Sequence, residues 1–270
     1  MSQRFDLRLA TETLAEDAQQ LGVTVETLQN ISVQVTATLV KQPNAYLELE
    51  YFVTLPTESL ADQLNWPTWQ SEQVSFTDYL WEQTCLECFF TGKLIVNDRS
   101  INSDCLINND NIANTHETTA YVEINASPDG RYALYQFKSY RNPATLPPKP
   151  LLQADGQTRA SIDWIDTSNQ QRPLVETKAS SQLSTTSKSS AHKNISPKLY
   201  HYERSFRVPL NQLSNETVGI KNTAIEYMHP CVILYFGNTA LYFAPKHASS
   251  PDFHNRHYWS RFDHKAALIK

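Results

Sequence analysis

The chain has 270 residues and a mass of 30.8 kDa; 40% of it is hydrophobic, and 23 basic against 28 acidic side chains give a formal charge of −5, a composition suited to one large globular all-β domain or two small domains. Its six glycines (Gly22, Gly92, Gly130, Gly156, Gly219, Gly237) are too scattered for a glycine-rich phosphate loop, a dinucleotide fingerprint or a nucleophile elbow. Mild acidity argues against non-specific nucleic-acid binding.

Period-2 alternation dominates from the start. Phe5, Leu7 and Leu9 read as a short first strand, and Thr11 to Gly22 as a small helix with Leu14, Ala18 and Leu21 on one face. Ile31, Val33, Val35, Ala37 and Leu39 share one face of the next strand. A turn at Pro43-Asn44 leads into Tyr46–Thr54, so the pair predicts an antiparallel hairpin with one wet face. Further strands are expected at Thr84–Phe90, Tyr121–Ser127, Arg131–Arg141, Tyr202–Pro209, Cys231–Phe236, Ala240–Ala244 and His257–Phe262. Ser127-Pro128-Asp129-Gly130 and Gly237-Asn238 supply turn chemistry between them. Many strands, few helical windows and short turns predict an all-β fold, an antiparallel two-sheet β-sandwich or barrel spanning about residues 5–262 of a single 1–270 domain.

The segment 167–197 departs from this pattern. It is polar, rich in serine and threonine with scattered lysines, and cannot bury enough apolar surface to offset the entropy of ordering. It reads as a flexible low-complexity insertion between two strands. The N-terminus lacks a signal-peptide core, and the longest apolar run, Cys231–Phe236, is far short of a membrane span. With four cysteines and no disulfide framework, the expectation is a soluble, cytoplasmic protein.

Three ordered segments carry a family resemblance: Leu80-Trp81-Glu82-Gln83-Thr84-Cys85-Leu86-Glu87-Cys88-Phe89-Phe90, then Tyr121 to Tyr132 running on to Phe137 and Tyr140-Arg141, then Tyr242 to His247 followed by Pro251-Asp252-Phe253-His254. Together they resemble the bacterial DOMON-like proteins, relatives of the type 9 carbohydrate-binding modules. The resemblance spans most of the chain, with gaps at the insertion and near Ile95–His116. It departs from the usual pattern at Ala248-Ser249-Ser250, in place of a proline-glycine-type turn, and at Cys88, where a small residue is usual. The resemblance implies a two-sheet β-sandwich and a non-catalytic module that binds a sugar or sugar derivative, with haem as the alternative ligand.

Several residues are candidates for chemistry. Glu123, Asn125 and Ser127 share one strand face, and a carboxylate beside an amide suits sugar hydroxyls; the plainer alternative is a solvated strand face. Trp66 and Trp69, in a proline-containing loop, offer flat surfaces for stacking on a sugar ring, whereas Trp81 and Trp259 read as core. Glu87 lies in an apolar stretch where a bare carboxylate is costly, and Arg141 is its expected structural partner. Glu87 and Glu123 as the acid and base of glycoside hydrolysis form a weaker reading, so the chain is expected not to be an enzyme. Cys85 and Cys88 point to opposite faces of a strand and read as packing residues rather than zinc ligands. His247, Asp252, His254 and His257 could coordinate a metal; as part of the family motif, His247, Asp252 and His254 read instead as loop anchors. For haem, Met228 and His229 are adjacent on an extended chain and cannot grip one iron, which leaves Met228 with another histidine. No cofactor or metal is expected.

Overall fold

The computed structural model describes residues 2–40, 44–92, 120–166, 172–173, 198–213, 225–263 and 268–269. Its strands are β1 (Gln3–Leu9), β2 (Ser32–Val40), β3 (Tyr46–Leu55), β4 (Cys85–Gly92), β5 (Tyr121–Ala126), β6 (Tyr132–Phe137), β7 (Asp163–Asp166), β8 (Arg172–Pro173), β9 (Tyr200–Pro209), β10 (Ile225–Phe236), β11 (Thr239–Ala244), β12 (Ser260–Arg261) and β13 (Leu268–Ile269). Among the described residues three short α-helices, α1 (Leu14–Leu21), α2 (Val25–Gln29) and α3 (Glu58–Gln63), fill connections. Among the described residues no helix is long and apolar enough to cross a membrane.

Ten strands form one curled antiparallel path, β6-β5-β4-β10-β11-β1-β2-β3-β9-β7, with β8, β12 and β13 attached at its margins. The expected all-β, antiparallel character holds. The hydrogen-bonded path runs without a break from one set of strands to the other. β1 is the reason, because its Leu7 end turns from β2 to β11: Leu7 pairs with Val33, while Arg8 and Leu9 pair with Ala244 and Phe243. The path curls back on itself, and Trp164 of β7, at one end, donates its Nε1–H to the carbonyl of Gly130, in the turn leading to β6 at the other (2.9 Å).

The core follows from alternation. Val33, Val35, Ala37 and Leu39 of β2 and Leu47, Leu49, Tyr51 and Val53 of β3 are buried together with Leu86, Cys88, Phe90, Val122 and Ile124 from the β4–β5 half. Tyr51 reaches across this core, its hydroxyl donating to the Glu87 carbonyl at 2.8 Å. Deep burial of a phenol is tolerated when its O–H finds such a partner. The β2–β3 hairpin pairs in register from Ser32↔Thr54 to Val40↔Tyr46, and its outward residues, apart from the buried Thr38, are at most partly covered.

Local chemistry sets the turns. Gly237 takes φ 58° in the two-residue β10–β11 connection, the left-handed conformation such hairpins require. Gly130, at φ 117°, has a second reason to be glycine: a Cβ there would sit 3.1 Å from the Trp69 ring. Two expected strands are shorter than alternation suggests. β6 stops at Phe137, and Arg141 lies in a turn at φ 48°. The His257–Phe262 strand reduces to a 3-10 turn (Arg256–Tyr258) followed by two paired residues. The expected insertion at 167–197 lies outside the described residues except for Arg172–Pro173, which pair with β9. Pro43 and Cys105 also lie outside them.

Candidate functional site

β4 and β5 are buried along their whole length on both faces. One face belongs to the core. The opposite face carries a second apolar cluster of Cys85, Phe89, Tyr121, Ala133, Tyr135, Phe137, Cys231, Ile233, Phe253 and Trp259. Here the chain adds cover that β2 and β3 lack: residues 138–150 after β6 and residues 245–259 after β11. Between these loops and the strands lies a cavity of about 490 Å³. Trp81, Phe89, Phe137, Tyr242 and Phe253 wall it, and Glu87, Glu123, His254 and Arg141 also line it.

The register explains the polar part. Glu87 sits opposite Asn125, and Phe89 opposite Glu123, so the two carboxyls occupy diagonal positions on one face of neighbouring strands. Glu87, Glu123 and Asn125 are 3%, 4% and 0% exposed. The expected wet stripe is therefore buried, because the two loops close over a face that alternation alone assigns to solvent. Asn125 donates its amide to Glu123 Oε1 at 2.8 Å, while Glu123 Oε2 accepts no hydrogen bond among the described residues. His254 Nε2 stands 3.7 Å from that oxygen.

Electrostatics at this floor is governed by desolvation. Burial lifts Glu123 to about 7, against the lowering effects of the Asn125 amide and Arg141. Glu87 is raised well above the carboxylate range, first by burial and then by Glu123, with the Cys85 thiol acting in the other direction. Burial depresses His254 to about 3, with Arg141 adding to the effect. At neutral pH His254 is thus an uncharged ring whose Nδ1 lies 2.7 Å from the Tyr121 hydroxyl, and the Tyr121 oxygen also accepts the backbone N–H of Arg141 at 3.1 Å.

The expected Glu87–Arg141 pair does not form. Arg141 leaves β6 in the left-handed turn and donates to Asp252 Oδ1 at 2.8 Å, while Tyr140 donates to Asp252 Oδ2 at 2.6 Å. Burial raises Asp252, but these bonds outweigh it and hold the carboxyl below its ordinary value. Asp252 also receives the backbone N–H of His254 at 3.2 Å, and so joins the two covering loops. His247 stands apart from this knot, its Nε2 2.7 Å from the Arg8 carbonyl.

Trp66 and Trp69 are not part of the cavity lining. Trp66 packs on Tyr202 with centroids 5.3 Å apart, and Trp69 on Trp164 at 5.2 Å; both are half-buried against the opposite half of the molecule. The cavity tryptophan is Trp81, which the sequence suggests as core. It is half-buried, on a 3-10 turn after Tyr79 (φ 63°), and packs edge-on to Tyr135. Phe137, Tyr242 and Phe253 lie in the segments that carry the family resemblance, but no local pattern marks them, or the Pro143–Pro148 wall, as cavity residues.

Cys85 faces the second cluster and Cys88 the core, and both are free thiols. Among the described residues no group of three or more His, Cys, Asp and Glu could hold a metal ion. Nor do the residues fit an axial Met/His pair for haem. Met228 is fully buried in the core cluster, on the opposite side of β10 from His229, which stacks on Trp259. An iron bound by Met228 would have to displace core side chains.

No protein-family model matches the sequence, and no curated protein does. A solved structure from Bacteroides uniformis, named as a candidate carbohydrate-binding protein, aligns over 96% of this chain and 85% of its own, with 8% identity and a TM-score of 0.43. A likeness of that size does not bear on the ligand.

Proposed function

We propose that the protein is a non-catalytic binding module of the DOMON-like kind, and that its cavity over β4 and β5 takes one or two sugar rings. The observation that carries this reading is the combination of aromatic walls with a polar floor holding a hydrogen-bond acceptor, Glu123 Oε2, that no group among the described residues uses. Pockets for small ligands have this character, apolar over most of their surface with a few convergent polar groups, and span roughly 300–1,000 Å³. Flat rings such as Trp81 suit the C–H face of a pyranose, and a protonated Glu87 can donate to a hydroxyl. Hydrolysis is disfavoured by placement: glycosidase carboxyls flank the scissile bond, whereas Glu87 and Glu123 rise from one face of adjacent strands and would lie under the ligand.

Tryptophan fluorescence titrated with mono- and disaccharides tests the proposal. Binding should perturb the emission, Trp81→Phe should remove most of that response, and Trp66→Phe should leave it. A sugar response lost with Trp66 but kept without Trp81 would move the site to the other half.

A further inference from the structure

The charge inventory of the cavity narrows the ligand. Among its described lining residues the basic groups are Arg141 and His254. Arg141 is committed to Asp252 at 2.8 Å, so this pair contributes no net charge at the rim. His254 is a buried imidazole bonded to Tyr121. Against them stand two carboxyl side chains on the floor, of which Glu123 is 4% exposed with one oxygen accepting no hydrogen bond. The groups facing Glu123 are Glu87 from β4, Asn125 and Tyr121 from β5, the uncharged His254 ring, and Arg141 at the rim, whose charge lowers Glu123 but is shared with Asp252. Around this floor are the faces and edges of Trp81, Phe89, Phe137, Tyr242 and Phe253.

A neutral sugar could hydrogen-bond to Glu123, but it would leave the carboxyl protonated and the aromatic quadrupoles unused. An ammonium group uses both. It donates N–H bonds to a carboxylate, where charge assistance roughly doubles their strength, and aromatic rings attract a desolvated cation. We infer that the site selects a ring-sized ligand bearing a protonated amine, such as an amino sugar, whose ammonium seats between Glu123 and Glu87. This inference rests on the reading of the cavity as a sugar site and adds the charge of its occupant. It also accounts for the lack of a free arginine or lysine at the floor among the described residues, since a resident cation would occupy the place of the ligand's own.

Binding of this kind should draw the proton from Glu123, whose burial holds it near 7. The ionised fraction then rises about fivefold from pH 6 to pH 7, a range over which a sugar amine stays largely protonated. The test is calorimetric titration of the full chain with glucosamine, N-acetylglucosamine and glucose. Glucosamine should bind at least tenfold more tightly than the other two, tighten about fivefold between pH 6 and pH 7, and lose its advantage in Glu123→Gln. Should that variant fail to fold, the three-ligand comparison and the pH ratio on the unmodified protein still decide. Equal affinity for glucose and glucosamine, or affinity independent of pH, would overturn the amine while leaving the sugar site standing. No heat and no Trp81 response with any of the three would overturn both.

Discussion

The β2–β3 half and the β4–β5 half share one curled sheet and one core but present opposite outer faces. On β3, buried and half-buried residues alternate from Tyr46 to Leu55, so a single face is packed. On β4 and β5 every residue is buried, because Leu80 from the turn before β4 and Phe253 and Trp259 from the 245–259 loop join a second cluster on the outer face, with residues 143–148 lining the cavity beside it. An outward polar residue therefore means different things in the two halves. Gln34 of β2 stays in partial contact with water, whereas Glu87, Glu123 and Asn125 are withdrawn from it. Burying carboxyls without cations is unfavourable for folding, and such an expense is characteristic of a site rather than a scaffold.

The contrast can be broken most directly by truncating adjacent residues on β4. Phe90 faces the core and Phe89 the second cluster, and both are almost fully buried. Chemical denaturation should show a loss of about 3–5 kcal/mol for Phe90→Ala and a comparable loss for Phe89→Ala. Gln34→Ala on β2 should stay within about 0.5 kcal/mol. A small effect of Phe89→Ala would mean that the second cluster is a loose lid rather than packed structure.

A second effect depends on pH. Glu123 has a folded-state value of about 7, above that of an unfolded chain, so its contribution to stability is fully present at low pH and lost as pH rises through 7. Glu123→Gln should therefore raise the melting temperature at pH 8, by an amount equivalent to roughly 3 kcal/mol at most, and change it little at pH 4. His254 acts in the opposite direction. Its depressed value makes the fold lose stability as pH falls from about 6.5 towards 3, so His254→Gln should improve acid tolerance. If Glu123→Gln lowers the melting point equally at both pH values, desolvation is not what governs this residue.

Smaller still is the Arg141–Asp252 tie. Arg141 is half exposed, so screening limits the loss from Arg141→Ala to about 1 kcal/mol of stability, while Asp252→Ala, which also releases Tyr140 and the His254 N–H, should cost more. The two changes should combine less than additively, whereas Arg141→Ala with Glu87→Gln should be additive. Coupling between Glu87 and Arg141 would restore the pairing that the geometry denies.

Much of the scaffold was legible because alternation and turn residues are local signals. The β2–β3 hairpin, β11, the Gly237-Asn238 turn and α1 within Thr11–Gly22 fall where the sequence places them. The site was legible only in fragments. Glu-Ile-Asn in β5 has the pattern of a half-wet strand, and nothing local tells that residues 138–150 and 251–254 will cover it. Likewise Arg141 can be assigned to Glu87 only if β6 continues to it. The left-handed turn at Arg141 instead sends the guanidinium to a residue 111 positions away.

The seam at β1 also has a consequence for synthesis. Residues at positions 8 and 9 find their partners at 244 and 243, so the N-terminal strand leaves the ribosome with one edge unpaired. At about 5–20 residues per second, that edge waits on the order of tens of seconds for β11. Pairing with β2 is available early and protects the other edge. The cavity half can close only after residues up to about 259 have emerged, which makes nascent chains stalled before β11 the species most in need of a chaperone.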